Sequence, residues 1–407
     1  MVADTRPLAH AGFRRLFLGQ STAVVGMMVT SVTVAVQLFS LTGSSLVVGL
    51  AGLVGLVPTI VFGLYGGAVA DAIDRRKLYL FSSSLTWAIT LALLAQSLLG
   101  IRSAALILVL VAVQAGGFAV SAAVRGALIP MLVPAEQLPA ANALNYTAGT
   151  LGQVLGPLLA GVLLALPHGF ALAYGADAVL FTAALYAAAR LPPLPAAAVA
   201  TRPGLRSVFE GLRFLATNPV LSTSFALDIA AMVLAMPTAL FPQAAAERWH
   251  GGAGVGVGVL YSAIAVGALL AGVFGGWIGR VRRQGVALSV AVVVWAAAIA
   301  AAGAVRSLWA VVGLLVLAGA ADLVSAVYRE TMLQTQVPDG MRGRLQGVFT
   351  VVVAGGPRLG DLRAGAMAAA TTLTIAWSGG ALVCVAVAVL VALSVRSFWR
   401  YDSAARA

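Results

Sequence analysis

One cysteine, Cys384, stands in 407 residues, so no intrachain disulfide and no thiolate metal site can form. The three histidines, His10, His168 and His250, lie far apart and make no metal-ligand spacing. No phosphate loop of the form G-x-x-x-x-G-K-S/T occurs, so any work against a gradient must draw on another gradient. The glycine cluster GGAGVGVGVLYSA from Gly251 opens an apolar run with no strand before it, which argues against a dinucleotide fingerprint. No Ser/His/Asp grouping and no paired acids at catalytic spacing stand out. The expectation is a protein that is not an enzyme and carries no cofactor and no metal.

Charge is scarce as well. Charged residues make up 9% of the chain, against roughly 25% in an ordinary globular domain, while 61% is hydrophobic and the mean hydropathy is +1.00. Such a composition reads as a chain mostly in lipid. A spanning helix needs about 20 apolar residues, and approximately twelve runs qualify. They begin near Leu16, Ser45, Leu78, Ser103, Leu138, Phe170, Val220, Val255, Gly285, Ser307, Arg344 and Thr371. None alternates as a membrane barrel strand would, so the predicted class is all-α.

Basic residues set the orientation. About 20 of the 25, with Arg125 and Arg329 counted among them, fall in the N-terminus, the even-to-odd connections or the C-terminal tail, which by the positive-inside rule makes both termini cytoplasmic. The net charge of +12 is then a topology signal, and no nucleic-acid partner is expected. The opening MVADTRPLAHAGFRR has no apolar core ahead of a small-residue cleavage site, so the first span is expected to stay. Lys77 is the only lysine, a hint of a GC-rich bacterial genome. A multi-pass protein of the bacterial inner membrane, in contact with lipid and monomeric, is expected.

The chain repeats itself. Ser121, Ala122, Arg125, Val133 and Pro134 recur 204 positions on as Ser325, Ala326, Arg329, Val337 and Pro338, and Gly152, Gly156 and Gly161 recur as Gly356, Gly360 and Gly365. Six spans built twice follow. The predicted division is residues 1–190, a cytoplasmic linker over 191–218, and 219–407. Proline punctuation and a short amphipathic stretch carrying Arg206, Glu210 and Arg213 mark the linker.

Between the second and third runs stands GLYGGAVADAIDRRKLYL, whose Gly67, Asp71, Asp74, Arg75, Arg76 and Lys77 resemble the loop signature of the major facilitator superfamily, G-x-x-x-D-R/K-x-G-R-R/K. Ala72 and Asp74 depart from that form, and the second half has Gly279 where an Asp would match Asp71. The fifth run carries GQVLGPLLAG, which resembles the glycine and proline signature of antiporter branches and marks Gly152, Gly156, Pro157 and Gly161 as a close-packing face. Across the whole chain the sequence looks like the enterobactin exporter-like subgroup and its drug:proton antiporter relatives. The resemblance implies the major facilitator fold, twelve spans in two pseudo-symmetric six-helix bundles, and a cytoplasmic latch at Asp71.

It further implies secondary active transport by alternating access, with proton-coupled export of a small amphiphilic molecule such as a siderophore or drug. The alternatives are import or facilitated diffusion of a metabolite and, more distantly, a membrane-embedded enzyme. A charge in hydrocarbon costs about 2.5–3.5 kcal/mol on insertion scales, so intramembrane acids are the first candidates for chemistry. Asp177 and Asp228 fall near the middle of their runs, Asp322 in the inner half of the tenth and Asp361 in the outer half of the eleventh. The resemblance places spans one, four, seven and ten around the cavity, which selects Asp228 for proton coupling, with Asp322 and Asp361 behind it, and sets Asp177 aside. Gln20, Thr33, Gln37, Gln114, Asp228 and Asp322 are the candidate substrate-cavity residues. In the eleventh run Arg358 and Asp361 share a helix face, predicting an intramembrane ion pair, while Arg363 points elsewhere and needs a partner of its own.

Overall fold

The computed structural model describes residues 4–72, 74–190, 213–249, 254–337 and 339–401, and the side chains of 64–72, 127, 339–344, 346–348, 350 and 396 lie outside that description. The predicted linker therefore falls mostly outside it. All regular elements among the described residues are helical. Eleven helices among the described residues are long and apolar enough to cross a membrane. The first six are Ala11–Thr42, Ser45–Ala72, Arg75–Leu98, Ala104–Leu132, Leu138–Leu164 and Gly169–Ala189. The seventh span runs from Pro219 to Arg248 and is followed by Val255–Val273, Gln284–Ala304 and Leu308–Gln336. The last begins with a π turn at Ile375–Gly379 and continues as Gly380–Ser394. Between them Asp339–Ala370, the eleventh span, is 32 residues long. Its apolar stretch carries three charged residues, Arg358, Asp361 and Arg363, which make it the most polar of the long helices.

Helix ends follow local chemistry. The Asp74 carboxylate accepts from the backbone N–H of Arg76 at 2.9 Å and of Lys77 at 3.3 Å, opening the third span. Asn218 does the same for Val220 and Leu221 at the start of the seventh. Gly43, at φ +63°, closes the first span in the left-handed conformation that glycine adopts without penalty.

Two compact units result, each assembled from more than one stretch of chain. The first takes residues 1–43, 53–203 and 251–262; the second takes 44–52, 204–250 and 263–407. Inside the first, span one packs against spans four, five and six, and span three against four and six. Inside the second, span seven packs against nine, ten, eleven and twelve, and span nine against ten and twelve. Trp377, Tyr328, Phe225 and Phe241 fill the core of the second unit.

The repeated glycines do the same job twice. A Cβ on Gly152 would meet Val24 of the first span, and one on Gly156 would meet Met28 and, at 2.8 Å, the Val25 carbonyl. In the second unit Gly356 meets Met232, and Gly360 meets the Met232 backbone and, at 2.8 Å, the Met236 side chain. The third glycine of each set is equally tight: Gly161 lies against Gly258 and Gly365 against Ser45 and Leu46. Glycine at these sites lets backbones touch, as small residues do in membrane helix pairs.

Leucine at Gly156 or Gly360 must therefore push two helices apart, an overpacking cost of about 1–3 kcal/mol or more. Thermal unfolding in lipid nanodiscs is expected to show both variants melting well below the parent, while Gly149→Leu, where nothing lies within 4 Å, melts with it.

Candidate functional site

In the second unit the seventh and tenth spans bring opposite charges together. An Nη of Arg329 lies 2.5 Å from Oδ1 of Asp228, and each side chain is 3% exposed. The guanidinium also stands over the Phe349 ring at 5.6 Å. Asp322 lies seven residues before Arg329, two turns along the same helix face, and acts electrostatically on both members of the pair. The cluster is thus two acids sharing one base. Asp228 Oδ2 and Arg329 Nε have no hydrogen-bond partner among the described residues, so the pair is only partly satisfied. Such a group has something to gain from a proton, a water or a cargo atom.

Arg329 and its repeat mate Arg125 are not loop residues, as their place in the basic-residue tally implied. Both sit inside helices, Leu308–Gln336 and Ala104–Leu132. Arg125 donates to Gln20 Oε1 of the first span, faces the Phe118 ring at 5.9 Å and lines a small cavity with Gln20, Tyr79, Ser83 and Ser121. The repeat itself was the signal that could have singled Arg329 out: an arginine kept at one register, inside an apolar run, two turns from an acid.

The eleventh span corrects the expected local ion pair. No Arg358–Asp361 pair forms within 4 Å, because Asp361 has better donors. Its Oδ1 accepts from the Thr238 hydroxyl and, at 2.9 Å, from the Ala239 N–H, capping the 3-10 turn Thr238–Leu240. Arg358 is exposed, its stem lying against Gly52. Arg363 finds its own partners in carbonyls, donating to Val233 at 3.1 Å, Ala376 at 3.1 Å and Met236 at 3.4 Å. Two of those carbonyls end the helix Pro219–Ala235. The seventh span is broken at Met236 and Pro237, and the eleventh offers a cation to the C-terminal end of one piece and an anion to the N-terminal end of the next, each matching the dipole it meets.

The neutral candidates of the first unit are internally satisfied. Thr33 is fully buried and donates back to the Val29 carbonyl at 2.7 Å. Gln37 is held by the Tyr174 hydroxyl at 2.6 Å and by reciprocal amide bonds with Gln96 at 3.2 and 3.3 Å. Gln114 donates to Thr90 at 3.1 Å. These side chains are engaged in helix packing, whereas Gln20 lines the small cavity beside Arg125. Asp177, set aside from the sequence, is buried in the same unit between Thr30 and Thr90.

At the loop, Gly67 and the Asp71 side chain lie outside the described residues. Asp74 is an N-cap, Arg76 donates to the Ala189 carbonyl at 2.7 Å, and Arg75 reaches the Met131 sulfur at 3.2 Å. Lys77 is exposed.

Breaking the buried charge cluster should cost unequally. Arg329→Met strands two acids and is expected to lose about 3–5 kcal/mol. Asp228→Asn leaves Asp322 beside the guanidinium and should lose less, while Asp228→Leu combined with Arg329→Met should recover part of the loss. Melting of the purified variants in nanodiscs checks the order.

With this geometry in view, likeness to known proteins is specific. A profile described as "Transmembrane secretion effector" matches residues 3–407. An enterobactin exporter, EntS, of Citrobacter koseri is 30% identical over 366 residues, covering 89% of this chain and 86% of that protein. The EntS of Shigella boydii is 29% identical over 395 residues, covering 96% and 94%. Among solved structures, the nucleoside transporter NupG superposes with a TM-score of 0.72 at 13% identity, covering 96% of this chain and 99% of that one. A bacterial homologue of the iron transporter ferroportin in its inward-facing state gives 0.73 at 17%, covering 96% and 99%. These structural likenesses show the fold alone, that of the major facilitator proteins. The chain belongs to the transmembrane secretion effector family of major facilitator transporters.

Proposed function

We propose that this chain exports a small amphiphilic molecule, a siderophore before a drug-like compound, from the bacterial cytoplasm in exchange for protons. One observation carries the reading: the likeness to enterobactin exporters runs over 96% of this chain and 94% of the relative. The halves 1–190 and 219–407, joined by 191–218, would alternate in exposing the cargo site, with both termini in the cytoplasm, Asp71 as the latch at that face and the lipid bilayer around a monomer.

The proton would bind at Asp228. Ionised, its carboxylate pairs with Arg329 and leaves Oδ2 to accept from a hydroxyl of the cargo; protonated, it releases the guanidinium to Asp322 and no longer holds that hydroxyl. Proton and cargo would thus compete for one buried carboxylate, which is what exchange requires. Nothing in this scheme uses Asp361 for coupling, because its oxygen already accepts two hydrogen bonds.

The test compares small molecules in the culture supernatant of iron-starved cells lacking this protein with the same cells after restoration. A catecholate or hydroxamate chelator that disappears and then returns supports siderophore export; matching profiles overturn it and turn attention to a panel of toxic compounds. In vesicles loaded through the same assay, Asp228→Asn is expected to insert normally and lose uphill transport. Undiminished uphill transport by that variant removes Asp228 from the coupling step.

A further inference from the structure

The first unit holds an acid that the export scheme does not use. Asp177, in the sixth span, is 1% exposed. Thr30 donates to its Oδ2 at 2.6 Å and Thr90 at 3.1 Å, while its Oδ1 has no hydrogen-bond partner among the described residues. Gly26 of the first span makes room for that bare oxygen, since a Cβ there would strike it.

No cation answers this carboxylate among the described residues. The spans packed against the sixth are the first, third and fifth. Their basic residues stand near N-terminal ends, Arg14 and Arg15 in the first and Arg75, Arg76 and Lys77 in the third, and the fifth has none. The titratable neighbour on its own helix, Tyr174, gives its hydroxyl proton to Gln37. On the fourth span, Arg125 is eleven residues beyond Gln114, about 16 Å along the axis, and donates to Gln20. An ionised Asp177 would therefore be a lone charge in an apolar bundle, a state costing several kcal/mol that a bound proton removes.

The surrounding polar groups form a file. Gln114 donates to Thr90 at 3.1 Å, the one Thr90 hydroxyl hydrogen has the Thr86 carbonyl at 3.3 Å as its alternative to Asp177, and Thr86 donates to the Ser82 carbonyl at 3.0 Å. Ser121 donates to the Ser82 hydroxyl at 2.8 Å, and Ser121 and Thr86 both line the cavity that contains Arg125. On the other side of Asp177, Tyr174, Gln37 and Gln96 continue the polar line. The hydroxyls both give and accept hydrogen bonds while the Thr86 and Ser82 carbonyls only accept, so this file is a polar lining that admits water beside the acid and is no continuous relay by itself.

We propose that Asp177 is a proton-binding site of the first unit, the single acid in a file of hydroxyls and amides, separate from the Asp228–Arg329 pair and exchanging its proton during transport. The proton arrives from water in the cavity beside Arg125 and forms an O–H bond at Oδ1, the free oxygen, while Thr30 and Thr90 keep donating to Oδ2. Water gives up that proton and recovers one from bulk, so no oxidant or other reactant is needed. Only the exchange during transport rests on the export reading; occupancy by a proton does not.

Infrared spectroscopy of the full chain in nanodiscs tests occupancy. The wild type at neutral pH should show the carbonyl band of a protonated carboxylic acid that is missing in Asp177→Asn, a variant whose amide oxygen keeps both threonine hydrogen bonds. Thr30→Val retains the acid and should shift that band, which separates loss of the acid from loss of the fold. Absence of the band in the wild type overturns the proposal, and so does a sodium-dependent rise in melting temperature that vanishes in Asp177→Asn, because the occupant would then be a metal cation. Exchange is tested in proteoliposomes with enterobactin as probe. Asp177→Asn should lose the response of transport to a pH gradient, and a wild-type response overturns the coupling role. Failure of the export reading looks different: no variant, wild type included, moves the probe, and the infrared band remains.

Discussion

Everything polar in this molecule is governed by the cost of leaving a charge unanswered among apolar helices. Four of the charged groups within the described spans are met in recognisable ways. Arg329 meets Asp228 and Asp322, Arg363 meets carbonyls at a helix end, Asp361 meets the start of a 3-10 turn, and Arg125 meets Gln20 and an aromatic face. These solutions differ in strength. A helix terminus is a fixed dipole that cannot walk away, so Asp361 and Arg363 hold the two pieces of the seventh span in register. An ion pair can be undone by one proton. The first kind of contact builds a scaffold, and the second can serve as a switch.

Architecture was legible in the sequence because lipid imposes a simple rule. Apolar runs of sufficient length must be helices, and the runs starting near Ser45, Leu138 and Val255 begin at those residues in the structure. The repeat also carried through to packing, down to the glycines of spans five and eleven. Partners were harder to read. Asp361 had Arg358 three residues away on its own helix, yet it bonds Thr238 and Ala239, 123 and 122 residues distant. Local spacing is blind to a neighbour supplied by a broken helix. Arg125 and Arg329 were misplaced for a related reason: their spans extend to Leu132 and Gln336, further than hydropathy alone would take them, so that buried arginines read as loop residues.

Asp177 shows that the span a residue belongs to does not measure how isolated its charge is. The structure separates the two questions. A residue can be remote from a cargo cavity and still be the most isolated charge in its unit, since isolation depends on what surrounds it: here Gly26, Thr30 and Thr90, and no base. The neutral glutamines show the converse. Gln37 and Gln114 lie on spans assigned to the cavity, and their amides are already satisfied inside the bundle.

The two halves have diverged at the position where their common origin is clearest. Arg125 and Arg329 occupy one register of a duplicated span, and each reaches the span that opens its own half. In the first half the group it finds is Gln20, a neutral amide that cannot ionise; in the second it is Asp228, with Asp322 two turns away. An arginine bonded to an amide keeps its full charge through any change of pH, whereas one bonded to a carboxylate is neutralised or released as that carboxylate loses or gains a proton. Duplication supplied two equivalent bases, and substitution of their partners left the second as the one whose charge can be gated. If the first half also handles protons, it must do so without Arg125, through Asp177, whose partner Thr30 stands about three turns beyond Gln20 on the first span.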